Sequence, residues 1–177
     1  MKNLNHYLPY LWMLSILLLC SANSQSQNDF SEEAKIKTVA LEIINSAATC
    51  SLITIDGEGF PTARMMQTLP TEGDFLIWLA TKPNTKKIDQ IKQNAKVSLY
   101  YTDDQSTGYV CLKGKAVLID DAQAKKTHWK EGWQAFYPNP EVDMILIKII
   151  PISMEVVSYS QGIISIEEDW SAKRVLF

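Results

Sequence analysis

Two groups of basic and hydroxyl side chains could bind an anion. Arg64 lies in a strand-like segment, and Thr85, Lys86 and Lys87 lie in the turn between another strand-like segment and a helix. The N-terminus of a helix offers free N–H groups and partial positive charge, and arginine binds phosphate through two parallel hydrogen bonds. Together these residues fit a site for one phosphate monoester. Taken alone, they leave open the alternative that the lysines, Lys82 included, are solvated surface charges.

Other reaction classes lack the residues that they need. Outside residues 1–24 the chain has one histidine, His128, and it has no Cys-x-x-Cys or His-x-x-x-His spacing, so we expect no metal centre. The absence of Gly-x-Ser-x-Gly and Gly-x-Gly-x-x-Gly motifs disfavours a hydrolase elbow and a glycine-rich nucleotide cradle. We interpret Asp120 and Asp121 as cap and dipole partners of a following helix. His128 is interpreted as a surface or hydrogen-bonded helical residue.

The composition is typical of one soluble globular domain. The chain has 177 residues, of which 46% are hydrophobic, with 7 glycines, 7 prolines and a formal net charge of −3. A slightly acidic chain has no general attraction for a phosphate backbone, so nucleic-acid binding is not expected. An anionic ligand would therefore need a local basic pocket.

The first 24 residues predict a secretory signal peptide. Lys2 is their one charged side chain, an apolar run follows it, and small residues lead up to Ser24. The run is short for a membrane span, but an uncleaved anchor stays an alternative, as does a lipoprotein with a lipidated Cys20. We expect an exported, periplasmic protein without a stable membrane span. The predicted parts after the signal are a flexible segment 25–30, one domain over 31–160 and a C-terminal tail over 161–177.

Hydrophobic periodicity predicts the elements that must position the basic residues. The expected helices cover 31–48, 85–93 with Asn84 as cap, and Asp120 to about Gln134. The expected strands cover 50–55, 61–69, 75–80, 97–102, 109–119, 144–150 and 153–159, the last two separated by Pro151. Six or more short strands with mostly tight connections favour a mainly β fold, an antiparallel barrel with flanking helices.

Two cysteines follow the predicted signal. Export would permit a disulfide between Cys50 and Cys111. Each cysteine lies in an apolar, strand-like run, which favours buried free thiols that act as small hydrophobic side chains.

Several short motifs occur in a characteristic order. They are Gly-Phe-Pro-Thr-Ala-Arg-Met-Met at 59–66, Leu-Ile-Trp-Leu-Ala-Thr at 76–81, Thr-Lys-Lys at 85–87 with Ile88 and Ile91, Val-Ser-Leu-Tyr-Tyr at 97–101, Gly-Lys-Ala at 114–116, and Trp129 with Phe-Tyr-Pro at 136–138. In sequence and spacing this set resembles the general-stress-protein branch of the pyridoxamine 5′-phosphate oxidase-like family. The resemblance covers roughly residues 31–160.

The resemblance implies an antiparallel six-stranded split barrel that forms a homodimer and binds FMN in the groove between the subunits. The residues it implies in cofactor binding are Arg64 and Lys87 at the phosphate, Thr85 and Lys86 around it, Met65, Met66, Trp78 and Thr81 along the ribityl chain and ring, and Trp129 at the flavin of the partner subunit. Core or dimer packing stays an alternative for Met65, Met66 and Trp78.

The function implied is that of a flavin-dependent oxidoreductase related to general stress proteins, in which the flavin carries the redox chemistry. The basic residues with which pyridoxamine-phosphate oxidases hold their substrate are not recognisable here, so vitamin B6 oxidation is not expected. One alternative is a non-enzymatic module that holds haem or another small molecule in the groove, with His128 as the axial ligand. Another is a structural dimer with an empty groove. No catalytic acid or base stands out in the sequence.

Overall fold

The computed structural model describes residues 30–105, 107–166 and 168–177. Residues 36–177 form one compact unit, and residues 30–35 belong to a separate N-terminal unit. The predicted signal peptide and residues 25–29 lie outside the described residues. None of the described helices is long and apolar enough to cross a membrane.

The described residues form seven strands and four α-helices. The strands are β1 (Thr49–Ile55), β2 (Pro61–Gln67), β3 (Ile77–Thr81), β4 (Lys96–Thr102), β5 (Gly108–Ile119), β6 (Ile145–Ser158) and β7 (Lys173–Leu176). The helices are α1 (residues 30–46), α2 (Lys86–Gln93), α3 (Ala122–Thr127) and α4 (Pro140–Asp143), and a short 3₁₀ helix covers Trp133–Ala135. The mainly β class with flanking helices is confirmed.

The strands form one antiparallel sheet in the order β2-β1-β4-β5-β6-β3. The end strands β2 and β3 approach each other to within 8 Å between Cα atoms, yet no ladder joins them, so the six-stranded path is open along one seam. β7 pairs with the second half of β6 and lies in the segment that was expected to be a tail. Strand alternation follows the predicted period of two, as in β1, whose alternate residues are buried.

Helix α1 supplies much of the apolar core, as its predicted amphipathic pattern requires. Its residues Ile36, Val39, Ala40, Ile43 and Ile44 are at most 5% exposed and repeat at a spacing of three and four, which places them on one face. They belong to the same buried cluster as inner-face residues of the central strands, among them Leu52, Leu99 and Leu112.

The expected break at Pro151 is wrong, because β6 runs through it as one strand of 14 residues. Proline cannot donate to a ladder and is tolerated at a bulge. Pro151 is paired with Gly114 where the register between β5 and β6 shifts, and Ile152 is the extra residue. A Cβ at Gly114 would lie 2.6 Å from the Ile150 carbonyl oxygen, so the bulge requires a glycine there.

Two helix boundaries also differ from the predictions. The helix expected to reach Gln134 ends at Thr127, and Gly132 turns the chain with a φ of 86° before the 3₁₀ helix begins. Asp121 caps α3 as expected, with its carboxylate accepting from the Ala124 N–H at 2.7 Å. The N-cap of α2 is Thr85 rather than Asn84.

Both described cysteines are free thiols, as expected. Cys50 is buried and Cys111 is half-buried. Burial raises the pKa of Cys50 to about 12. This thiol therefore stays protonated and packs as a small apolar side chain.

The bulge at Gly114 generates a stability prediction. Gly114→Ala should lower the free energy of unfolding by about 1–3 kcal/mol, because the new methyl group would also lie 2.8 Å from the Ile149 Cγ2 atom. Urea unfolding of both proteins measures the change. Gly57→Ala is the matched control, since its Cβ would meet only the Gln93 Oε1 atom, at 3.9 Å. A Gly114→Ala protein as stable as the wild type would contradict this account of the bulge.

Candidate functional site

A pocket of about 370 Å³ lies beside the open seam of the sheet. It brings together the last residues of β2, the end of β3, the start of α2 and the region of the 3₁₀ helix. Its lining residues are Met65, Met66, Gln67, Ala80, Thr81, Lys82, Thr85, Lys87, Trp133, Phe136 and Tyr137. The volume falls in the range of small-molecule sites in proteins.

One end of the pocket is polar and positively charged. The Lys87 ammonium donates to the Thr81 hydroxyl at 2.9 Å, and that hydroxyl lies 3.3 Å from the hydroxyl of Thr85. The Thr85 hydroxyl donates to the Lys82 carbonyl at 3.1 Å and makes no cap bond to α2. The first N–H groups of α2 therefore receive no side-chain cap from Thr85.

Arg64 is not among the residues that line the pocket, but it lies close enough to Lys87 for its charge to act on that lysine. Its Nη1 donates to the Thr54 hydroxyl at 2.5 Å and its Nη2 to the Gln90 amide oxygen at 2.8 Å. A further bond at 3.1 Å joins Nη2 to the Thr62 hydroxyl. All of these acceptors are uncharged, so none of them compensates the positive charge of the guanidinium.

The two cations influence each other. Burial lowers the pKa of Lys87, and the nearby charge of Arg64 lowers it further. Burial also lowers the pKa of Arg64. Over the described ranges neither side chain forms an ion pair with a carboxylate, and the pocket lining contains no Asp or Glu. This end of the pocket therefore has an uncompensated positive charge that an anion would neutralise.

The other end of the pocket is apolar and aromatic. Met65 is 74% exposed and Phe136 is 56% exposed, while Trp133 and Tyr137 are buried and meet edge to face with ring centroids 5.7 Å apart. The Trp133 indole N–H donates to the Gln67 amide oxygen at 2.8 Å, which ties the 3₁₀ helix to β2. A flat apolar group could pack against this surface.

The aromatic end was missed by the sequence reasoning. Trp133 lies where a continuous helix was expected, and Tyr137 lies just after the expected end of that helix; neither was named as a site residue. The helix ends before Gly132, whose left-handed backbone precedes the 3₁₀ helix that contains Trp133, so this glycine was the available signal.

Trp78 lies outside the lining of this pocket. It belongs to a second buried cluster with Trp133, Tyr137 and other residues, and its indole N–H donates to Glu72 at 3.0 Å. The His128 ring stacks on the indole with centroids 3.8 Å apart. Trp78 thus packs in the same buried cluster as Trp133 and Tyr137, the two buried aromatic residues of the pocket lining.

Two other predicted site residues also lie outside the lining. Lys86 is exposed to solvent at the start of α2. Trp129 lines a separate cavity of about 440 Å³ with Lys125, Asn139, Glu141 and neighbouring residues. The site residues that the structure brings together in one pocket are Met65, Met66, Thr81, Thr85 and Lys87.

His128 directly follows α3, and both of its ring nitrogens have hydrogen-bond partners, as expected for a hydrogen-bonded residue. Its Nδ1 lies 2.9 Å from the Ala124 carbonyl oxygen, and its Nε2 lies 3.0 Å from the Glu72 carboxylate. Neither ring nitrogen is left for a metal. In the part of the chain that the structure describes, no three His, Cys, Asp or Glu side chains cluster to hold an ion.

Comparisons with known proteins agree with the motifs. A family model described as pyridoxamine 5′-phosphate oxidase like matches residues 34–167. No curated protein matches the chain. Among solved structures, General Stress Protein 26 from Bacillus anthracis is 23% identical with a TM-score of 0.62, covering 82% of this chain and 98% of its own.

Other solved structures show the same fold. A Clostridium acetobutylicum protein related to general stress protein 26 is 21% identical with a TM-score of 0.64, and the match covers 81% of this chain and 94% of that one. HupZ from Group A Streptococcus is 14% identical with a TM-score of 0.56, and the match covers 70% and 95%. Because the family model spans most of the sequence, the chain belongs to the pyridoxamine 5′-phosphate oxidase-like family.

Proposed function

We propose that this protein binds FMN in the pocket at the seam and is a flavin-dependent oxidoreductase related to general stress proteins. The observation that carries the proposal is the uncompensated charge of Arg64 and Lys87 at one end of a pocket whose other end is aromatic. Proteins of this family often bind a flavin, and some bind haem. FMN joins a phosphate monoester to a flat ring system, so it matches both ends of the pocket.

The residues present fit the cofactor. Lys87, Thr81 and Thr85 would hold the phosphate, with the Arg64 guanidinium adding charge from behind. Met65 and Met66 on β2, together with Phe136, would contact the ribityl chain and ring. When bound, the flavin would supply electron transfer, and the protein would supply position and electrostatic surroundings.

The proposed setting is an exported homodimer. Export is supported by the predicted signal in residues 1–24. Dimerisation is supported by the family, whose members are often dimers. The exposed Met65 and Phe60 on and beside β2 offer apolar surface for a second subunit.

The haem alternative is not favoured by the site. His128 is the one described histidine, and both of its ring nitrogens already have partners. A haem-bound protein whose Soret band is lost in His128→Ala would contradict the flavin proposal.

Removing either cation should weaken FMN binding. In the protein purified after expression of the full-length sequence, Lys87→Met and Arg64→Ala should each lower FMN affinity by about tenfold to a hundredfold. Lys87→Met removes an ammonium that lines the pocket, and Arg64→Ala removes the positive charge next to it. Quenching of free-flavin fluorescence measures the affinity. Lys92→Met is the matched control, since it removes one exposed charge from the last turn of α2. Unchanged FMN affinity in both site variants would show that the phosphate lies elsewhere.

The lowered pKa of Lys87 predicts a pH dependence. Only the protonated ammonium attracts phosphate, so FMN affinity should fall as the pH rises through a pKa below the ordinary lysine value of 10.5. Riboflavin lacks the phosphate and should show no such fall, which controls for titration of the ring. Fluorescence titrations from pH 7 to 10.5 measure both ligands. An equal fall for FMN in Lys87→Met would contradict the assignment to Lys87.

A further inference from the structure

Gln90 lies where three donors converge. Its amide oxygen accepts from the Thr54 hydroxyl at 2.6 Å and from Arg64 Nη2 at 2.8 Å, with the Thr62 hydroxyl at 3.4 Å. Since Arg64 Nη1 also donates to Thr54, the guanidinium, the hydroxyl and the amide form a closed ring of hydrogen bonds. Gln90 is 9% exposed and Thr54 is 1% exposed, while Arg64 is half-buried, so the acceptor side of this ring is shielded from water.

The ring joins two separate parts of the fold. Arg64, Thr54 and Thr62 belong to the β1–β2 hairpin, in which Thr54 pairs with Thr62 and Leu52 with Arg64. Gln90 belongs to α2, one turn after Lys87, and residues three apart lie on the same side of a helix. Gln90 therefore connects the cation on the hairpin to the helix that carries the other cation.

The amide is chemically different from the carboxylate that could replace it. Glutamate has the same shape and could accept the same hydrogen bonds, but it would neutralise Arg64. Glutamine orients the guanidinium and leaves its charge available to a ligand. Arg64 is close enough to Lys87 for its charge to add to the effect of burial in lowering the pKa of the lysine.

We propose that Gln90 is a positioning residue of the phosphate site, which fixes Arg64 beside Lys87 through an uncharged acceptor and so preserves the positive charge of the pocket. This inference rests on the proposed binding of FMN. It assigns to Gln90 a part in selecting ligands with a phosphate group over the same ligands without one.

The test compares FMN with riboflavin in Gln90→Glu. FMN affinity should fall about tenfold or more, because the added carboxylate cancels one cation, while riboflavin affinity should change less than twofold. The alkaline fall in FMN affinity should also move to higher pH, because a nearby negative charge raises the pKa of Lys87. A purely structural role for Gln90 would weaken both ligands alike. Gln93→Glu makes the same charge change at an exposed position of α2 and is the control.

Gln90→Met repeats the test without adding charge. It removes the acceptor for Arg64 at similar length, so it should weaken FMN severalfold relative to riboflavin. Riboflavin binding shows that each variant is folded. If the wild type binds FMN and both Gln90 variants bind it with undiminished affinity, the role of Gln90 is overturned and the proposed function is not. A wild type that does not bind FMN would overturn the proposed function and this inference with it.

Discussion

The candidate site depends on two like charges that the fold holds close together without a carboxylate between them. Burial lowers the pKa of Lys87 and the nearby charge of Arg64 lowers it further, so both disfavour the protonated lysine. Two like charges held close together cost free energy, which other interactions have to offset. Here Thr54, Thr62 and Gln90 maintain this arrangement by orienting the guanidinium with neutral acceptors. Over the described residues neither cation has a carboxylate partner, and this uncompensated charge supports the proposed anion site.

The topology explains why the site lies where it does. β2 and β3 are the end strands of the six-stranded path. They approach each other without forming a hydrogen-bonded ladder, so a ligand at this seam could contact both strands. The long strand β6 positions β3 with its first half and β7 with its second half, and the bulge at Gly114 lets it pass Pro151 while staying paired to β5. The sheet thus brings Met65 of β2 and Thr81 of β3 into the lining of the same pocket.

Local patterns in the sequence predicted the elements, and long-range packing decided the site. The spacing of Ile36, Val39 and Ile43 predicted α1, and the turn before Lys87 predicted a helix N-terminus with a basic pocket. Pro151 misled the strand prediction because the bulge that accommodates it is defined by the pairing of β6 with β5, which the local sequence does not show. Gln90 could not be identified from the sequence, since its role arises from contacts with residues 26 to 36 positions away. Trp78 was expected at the ligand, with core packing as the alternative. In the structure it lies outside the pocket lining, where its indole N–H donates to Glu72 and its ring stacks on His128.

The central claim is that one phosphate group binds between the start of α2 and the β1–β2 hairpin. A crystal structure of the protein, from crystals grown in the presence of FMN, tests this most directly. The account predicts a phosphate within hydrogen-bond distance of Lys87 Nζ and the Thr85 hydroxyl, with the ring toward Met65 and Phe136. FMN bound instead in the cavity beside Trp129, or with its phosphate away from Lys87, would contradict it.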